Sequence, residues 1–227
     1  MLKYSIENFK YWIEDYSYLV KLQFESRIHP VPPESYLNHN TKRNPIIIIP
    51  GILEHWGFLK MIADSLSSSG NDIYVVRELG NNLYDIKTSA EIVSTVAKKN
   101  QLASPIVIAH SKGGIIGKQL LIDGVADKMI AISTPFSGTD IVKNIPIPAF
   151  QELSPQSELI LNLKKNKSCN LKIVSYYPTF DNHVPNGSII EGGLNLEIPV
   201  EGHHKILESD VLVAEISKKI DDWEKAK

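Results

Sequence analysis

A serine lies where an apolar run ends and a helical pattern begins. Residues 105–109, "PIVIA", predict a buried strand, and two glycines follow Ser111 at the start of the next segment. The pattern small–x–Ser–x–Gly, which runs here from Ala109 to Gly113, is typical of a sharp strand-to-helix turn that presents a serine hydroxyl. The sequence therefore predicts a nucleophile at Ser111, although Ala109 occupies a position where this pattern usually has glycine.

A serine hydroxyl reacts only when a base takes its proton and an acid orients that base. In doubly wound hydrolases the acid follows the serine along the chain, and the histidine follows the acid. Asp181 comes just after one predicted strand, and His203 and His204 come just after the last one. We expect these loops to meet at the carboxyl edge of a parallel sheet. Asp140, which also follows a strand, is the alternative acid.

Attack on an acyl carbon creates a negative oxygen that needs hydrogen-bond donors. Backbone N–H groups that already point at this oxygen contribute about 3 kcal/mol each. The residue after the nucleophile, Lys112, is one predicted donor. The other is Ile52, in the turn that Gly51 allows after the first strand, with Leu53 as the alternative.

Strands and helices alternate from residue 45 onward, which predicts an α/β fold with a doubly wound, mostly parallel sheet. The strand-like runs are residues 46–50, 72–79, 105–109, 128–133, 171–177 and 194–200. The helical patterns are residues 58–68, residues 85–100, the segment ending at Leu121, and residues 209–225. One long connection, about residues 139–168, interrupts the alternation. We interpret it as a short lid-like insertion.

The N-terminal segment carries apolar side chains at spacings of three and four, which predict an amphipathic helix. These residues are Ile6, Phe9, Ile13, Tyr16, Val20, Phe24 and Ile28. We divide the chain into a helical extension, residues 1–44, packed on the core, and a domain spanning residues 45–227. Packing of the apolar stripe on the core is favoured because most helices with this pattern are core helices. The alternative is peripheral contact of residues 1–28 with a membrane surface.

Composition excludes several classes of function. The chain has 227 residues, 43% of them hydrophobic and 22% charged, as in globular proteins, and a formal net charge of −2 argues against a nucleic-acid partner. The single cysteine excludes an intrachain disulfide. No apolar run approaches the roughly 20 residues of a membrane span, and no signal peptide is evident, so we predict a cytoplasmic location. No spacing of histidine, cysteine and acidic residues indicates a metal site, and we expect no metal and no cofactor.

Six segments together resemble those of small α/β-hydrolases of the lipase and esterase type, from about Pro45 to the C-terminus. They are "IIIIPGILE", "IVIAHSKGGI", "ISTPFSGT", "ELSPQSELILNL", "FDNHVP" and "GHHKIL". In such lipases the acid loop commonly reads Asp-x-x-Val-Pro, which matches Asp181 onward. The histidine commonly stands in Gly-His-x-x-Leu-Leu, which favours His203 over His204. The oxyanion segment commonly reads His-Gly-x, and Pro50 replaces that histidine here.

The resemblance implies a Ser111–His203–Asp181 triad that hydrolyses carboxylic esters of a small-molecule or lipid substrate without a cofactor. The same machinery also acts on thioesters and amides and in acyl transfer, and the sequence does not separate these substrates. A non-catalytic binding protein that retains the fold is the alternative of another class. The presence of all three residue types in the required order favours an enzyme.

Overall fold

The structure, a computed structural model, describes residues 6–37 and 42–226, with side chains from Asn8 onward. Residues 1–5, 38–41 and 227 lie outside the described part of the chain, as do the side chains of Ile6 and Glu7. The predicted helical extension, and the place of Ile6 in its apolar stripe, fall partly on these residues. Within the described part, six strands form one sheet. They are β1 (Ile46–Ile49), β2 (Ile73–Val75), β3 (Ile106–His110), β4 (Lys128–Ile132), β5 (Ile173–Phe180) and β6 (Leu194–Glu201).

Helices connect and cover these strands. They are α1 (Ile6–Ile28), α2 (Lys60–Ser68), α3 (Ile86–Lys99), α4 (Lys112–Ile122), α5 (Pro148–Gln151), α6 (Glu158–Lys165) and α7 (Asp210–Lys225). Short 3-10 segments are Glu34–Leu37, Trp56–Leu59, Arg77–Leu79, Asp140–Asn144, Asn170–Lys172 and Lys205–Glu208. Ser157 and Ser209 cap the amino ends of α6 and α7 through their side chains. Such caps satisfy N–H groups that have no partner inside the helix.

The strand order is β2-β1-β3-β4-β5-β6, and every neighbouring pair is parallel. The predicted doubly wound parallel sheet is therefore confirmed. The chain moves outward from β1 to β2 and then crosses back to β3 on the other side of β1. In sheets of this kind ligands bind beyond the carboxyl ends of the strands at such a switch point. The segments after β1 and β3 contain Ile52 and Ser111.

Two apolar layers enclose the sheet. Alternate side chains of β1 point to opposite faces. Ile46 and Ile48 belong to the buried cluster that includes residues of α2 and α7, whereas Ile47 and Ile49 belong to the cluster that includes residues of α3 and α4. Since all four isoleucines are fully buried, the continuous apolar run is explained by helices on both faces.

The insertion between β4 and β5 contains the 3-10 segment Asp140–Asn144 together with α5 and α6. Its Glu152 carboxylate accepts the N–H of Ile86 at the start of α3, 2.9 Å away. Its Thr139 hydroxyl donates to the carbonyl of His183 at 2.7 Å. The insertion thus contacts both a core helix and the acid loop. Its role as a lid stays a prediction.

The helix α1 packs on the domain by a different face from the one that its apolar stripe predicts. Phe9, Ile13, Tyr16, Val20, Phe24 and Ile28 are 42–68% exposed. The buried residues of α1 are instead Asp15, Leu22 and Ser26. The expectation that the stripe supplies the buried face is wrong, because the polar partners of Asp15 and the close approach of Ser26 to Gly57 determine which face packs.

The domain division at residue 44 stays a prediction. Among the described residues, none of the helices combines the length and the apolar character that crossing a membrane requires.

Candidate functional site

Ser111 occupies a strained turn between β3 and α4. Its backbone has φ 51° and ψ −122°, a conformation that non-glycine residues rarely adopt. Its N–H donates to the carbonyl of Ile132 on β4 at 2.9 Å. A Cβ atom on Gly113 would overlap the carbonyl oxygen of Ile49, so a side chain there would push α4 away from β1. The turn therefore requires glycine at position 113, as the sequence pattern implies.

Ala109, which raised a question in the sequence, lies in regular strand structure. It is fully buried in the core and pairs in register with Ile49 on one side and Ala131 on the other. Because the neighbouring strands keep regular pairing around it, the single methyl group fits where related turns usually have glycine.

Asp181 and His203 form a buried pair beside this turn. The Nδ1 atom of His203 lies 2.9 Å from Oδ1 and 3.1 Å from Oδ2 of Asp181. Oδ1 also accepts the N–H groups of His183 and Val184 at 2.9 and 2.8 Å. Burial by itself raises the pKa of Asp181, but the charge of His203 and these hydrogen bonds hold it below its ordinary value. Because an ionised carboxylate only accepts, Nδ1 of His203 carries a proton, and its Nε2 is the candidate proton acceptor.

His110 connects the segment of Ser111 to that of His203. The rings of His110 and His203 have centroids 4.7 Å apart, and Ser111 directly follows His110. Among the described residues, the Ser111 hydroxyl has no hydrogen-bond partner. In catalytic sites generally, a hydrogen bond between a nucleophile and its base often forms fully only when substrate binds.

The alternative acid, Asp140, and the alternative base, His204, have other partners. Asp140 is exposed on the insertion and pairs with Lys143 at 2.9 Å. His204 does not contact Asp181, and its Nδ1 lies 3.0 Å from Asp15 instead. The structure therefore brings Asp181 to His203 and not to His204.

Two backbone N–H groups near Ser111 are available for an oxyanion. Among the described residues, the N–H groups of Ile52 and Lys112 donate no hydrogen bond. The N–H of Leu53, the alternative donor, already donates to the carbonyl of Asn81 at 2.8 Å, which favours Ile52 over Leu53. The identity of the oxyanion donors stays a prediction.

The side chain of Lys112 has a separate role. Its ammonium is buried and donates to the carbonyls of Asn82 and Tyr84 at 2.8 and 2.5 Å. Burial lowers the pKa of Lys112 to about 8. These bonds connect the first turn of α4 to the loop before α3, whose Asn82 side chain in turn donates to the carbonyl of Pro50.

Glu54 is a buried carboxylate that the sequence analysis missed. It accepts the N–H of Gly51 at 2.6 Å, and both of its oxygens lie 2.9 Å from Nδ1 of His110. The other nitrogen of His110 donates to the carbonyl of His203 at 3.1 Å. Burial by itself raises the pKa of Glu54, but the charge and hydrogen bond of His110 keep it below the ordinary value. The Glu54–His110 pair thus connects the turn after β1, the turn at Ser111 and the loop at His203.

A signal for Glu54 was present in the sequence. Glu54 stands within the apolar segment "IIIIPGILEHW", which is expected to be buried. A buried carboxylate requires a cationic or N–H partner. Asp15 was missed in the same way. It lies within α1 on the side that carries Leu22, and it is fully buried. Neither signal names its partner.

His183 also lies at the candidate site. Its ring stacks on His203 with centroids 4.8 Å apart and planes 10° apart. Its Nε2 is buried and has no hydrogen-bond partner among the described residues. Burial, together with the charges of His203 and His204, lowers the pKa of His183 to about 3. His183 is therefore a neutral wall of the site.

His183, His203 and His204 each offer a nitrogen within 4.8 Å of the others, which raises the question of a metal ion. A metal lies in the plane of each imidazole that binds it, about 2 Å from the nitrogen. The parallel, stacked rings of His183 and His203 do not meet that condition. As arranged, the cluster does not fit a metal, and the absence of a metal cofactor stays a prediction.

Comparison with solved structures identifies the architecture. Lipase B from Aspergillus fumigatus matches with a TM-score of 0.68 and 18% identity, over 84% of this chain and 55% of that chain. The mature form of lipase BlEst2 from Bacillus licheniformis matches with a TM-score of 0.65 and 12% identity, over 81% of this chain and 95% of that chain. An α/β-hydrolase fold protein from Burkholderia ambifaria matches with a TM-score of 0.57 and 12% identity, over 77% and 90%.

The chain has the α/β-hydrolase fold. Other solved structures that match include a bromoperoxidase, a monoacylglycerol lipase and a metagenome-derived lipolytic enzyme. The Aspergillus, Bacillus and Burkholderia proteins are only 12–18% identical to this chain, so their likeness shows the α/β-hydrolase fold alone. The chain spans about half the length of the Aspergillus lipase. No protein-family model matches the sequence, and neither does any curated protein.

The Glu54–His110 pair generates a prediction about stability. Replacing Glu54 by Gln removes the buried carboxylate that faces Nδ1 of His110 and accepts the N–H of Gly51, which we expect to cost about 3 kcal/mol of the free energy of unfolding. Urea denaturation at pH 7 measures this loss. The matched control is Glu191→Gln, which removes an exposed partner of Lys167 and is expected to change stability little. Equal losses in the two variants would contradict a structural role for the buried pair.

Proposed function

We propose that this α/β-hydrolase-fold protein is a serine hydrolase that cleaves carboxylic esters. The observation that supports this most is the buried Asp181–His203 pair beside the strained turn of Ser111. A solvated loop has no physical reason to hold a carboxylate and an imidazole at 2.9 Å out of water. The unbonded N–H groups of Ile52 and Lys112 add the donors that acyl chemistry needs.

The proposed reaction has two halves, acylation of Ser111 and hydrolysis of the acyl-enzyme, and His203 acts as a base in both. The Ser111 Oγ atom attacks the acyl carbon as its proton passes to Nε2 of His203, and the new oxyanion accepts hydrogen bonds from Ile52 and Lys112. His203 then protonates the leaving alcohol, which leaves an acyl group on Ser111. Water attacks this acyl-enzyme with His203 again as base, and the carboxylic acid departs. Asp181 keeps the Nδ1 proton in place and stabilises the imidazolium.

Active-site labelling tests the nucleophile. A fluorophosphonate probe should label the wild-type protein at one serine, and Ser111→Ala should abolish the label because the attacking oxygen is lost. Ser133→Ala is the matched control, since Ser133 also follows a parallel strand and has a positive φ of 48°. It should label like the wild type. A wild-type protein that does not react would overturn the proposal.

The pH dependence tests the base and the acid. Although burial by itself lowers the pKa of His203, the charge and hydrogen bond of Asp181 raise it above the ordinary 6.5. A protonated His203 cannot accept the serine proton, so kcat/KM should fall as the pH drops, with its midpoint above 6.5. Asp181→Asn should lower kcat by roughly 10³–10⁴-fold. Asp140→Asn should leave it unchanged, and a flat pH profile between 5 and 8 would exclude His203 as the base.

We further propose that the substrate is an acyl lipid presented at an interface, with α1 as the contact surface. The exposed stripe of α1 lies beside the candidate site. Gln23 on α1 donates to the carbonyl of Leu53, which is 46% exposed and next to Ile52. The ring of Tyr16 lies 5.7 Å from that of His183. A row of exposed apolar side chains next to an acyl-binding site suits a lipid surface.

Vesicle binding tests the interface. The double variant Val20→Asp/Phe24→Asp should weaken co-sedimentation with phosphatidylcholine vesicles by about tenfold or more, since each side chain contributes roughly 1.5–3 kcal/mol when buried. Activity on a soluble short-chain ester should not change. Leu171→Asp is the control because Leu171 is 88% exposed at the opposite edge of the sheet. Equal vesicle binding by all three proteins would exclude the stripe as a lipid contact.

A further inference from the structure

We propose that Asp15, on the N-terminal helix α1, is a positioning residue of the catalytic centre that sets the histidine loop and the acid loop relative to each other. This inference rests on the proposed hydrolase function. It makes α1 a part of the active site, although Asp15 and Asp181 are 166 positions apart in the sequence.

The Asp15 carboxylate is fully buried, and both of its oxygens are used. Oδ1 accepts the backbone N–H groups of His204 and Lys205 at 2.6 and 3.0 Å. Oδ2 accepts from the side-chain amide of Asn182 at 2.9 Å and lies 3.0 Å from Nδ1 of His204. One carboxylate thus receives four donors from two different loops. Hydrogen bonds to an ionised group are shorter and stronger than those between neutral groups, so this connection is stiff.

Asn182 carries the connection to the base. It lies next to Asp181, and its Oδ1 accepts the N–H of His203 at 3.1 Å. Three consecutive N–H groups, those of residues 203, 204 and 205, are therefore held directly or through Asn182 by Asp15. Fixing these peptide units fixes the position from which the His203 ring extends. A displacement of about 1 Å between reacting groups lowers the rate on the order of 100-fold.

The fit between α1 and the histidine loop is close. Gly202, with φ +129°, precedes His203, and a Cβ atom there would lie 2.5 Å from Oδ1 of Asp15. The loop thus has a glycine where the carboxylate needs room. On the helix side, Tyr16 and Trp12 pack their rings against His183. The helix also exposes its apolar stripe, because the face that carries Asp15, and not the face that carries the stripe, is complementary to the domain.

The charge of Asp15 also acts on His203. The groups that face His203 are the carboxylates of Asp181, Asp15 and Glu54 and the rings of His110, His183 and His204. The three carboxylates raise the pKa of His203, and burial lowers it. Removing the Asp15 charge should therefore move the acid limb of kcat/KM to lower pH. A side chain that only stabilises the fold would not shift this limb.

Asp15→Asn in the full chain tests the inference. The variant keeps the size of the side chain but loses the charge and at least one acceptor. We expect kcat per labelled site to fall on the order of 10-fold to 100-fold with KM within about threefold of wild type, because no substrate-binding wall is changed. The acid limb should move to lower pH. Leu22→Ala is the matched control, since Leu22 is buried on the same helix and belongs to the apolar core cluster. It should lower the melting temperature but leave kcat per labelled site and the acid limb unchanged.

Two results would refute the positioning role: an Asp15→Asn variant with wild-type kcat and pH profile, or equal losses in Leu22→Ala with no shift of the limb. If Asp15→Asn does not fold, Asn182→Ala replaces it, since it breaks the link to the N–H of His203 and keeps Asp15. Its kcat should fall about tenfold, and an unchanged kcat would refute the inference.

Failure of the hydrolase proposal is recognised separately, because wild-type protein would then not react with the fluorophosphonate. The inference is then tested by NMR titration of the His203 ring in wild type and Asp15→Asn. A lower pKa in the variant supports the role of Asp15, and an unchanged pKa refutes it.

Discussion

The pairing of buried carboxylates with histidines is the interaction on which the candidate site depends. Asp181 faces His203, Glu54 faces His110, and Asp15 faces His204. Each carboxylate loses its hydration on burial, a cost of several kcal/mol that only a well-placed partner offsets. Because every partner lies on a different segment from its carboxylate, the pairs form only when β1, β3, the last two strands and α1 have assembled. The site therefore depends on the tertiary fold, and several segments of the chain hold its groups in place.

The backbone constraints at the same edge of the sheet have a different origin. Ser111 holds a positive φ because α4 must begin against β1 and β4 at very short range. The glycines of the turn permit this approach, and the buried ammonium of Lys112 secures the start of α4 to the loop at Asn82. The strain is local, and regular pairing of Ala109 with its two neighbouring strands surrounds it. A rigid sheet edge thus presents a hydroxyl and two unbonded N–H groups in a fixed arrangement.

The orientation of α1 joins these two aspects. A helix with apolar residues on more than one face has no unique docking direction from hydrophobicity alone. Here the electrostatic requirement of Asp15 decides, and the stripe from Phe9 to Ile28 faces outward beside the site. The packing of Asp15 against the histidine loop therefore also leaves the apolar stripe of α1 exposed.

The sequence by itself determined the order of the strands along the chain, the parallel sheet and the turn at Ser111, because these follow from short-range periodicity and from glycine spacing. It also predicted that Asp181 and His203 follow strands that end at one edge. Only the tertiary structure decided that Asp181 pairs with His203 and that Asp15 and Glu54 lie at the site. It also decided that the N–H of Leu53 is bonded to the carbonyl of Asn81. The reason is physical. Pattern and propensity act over a few residues, whereas the partner of a buried charge is set by which distant segments pack together, and periodicity carries no record of that choice.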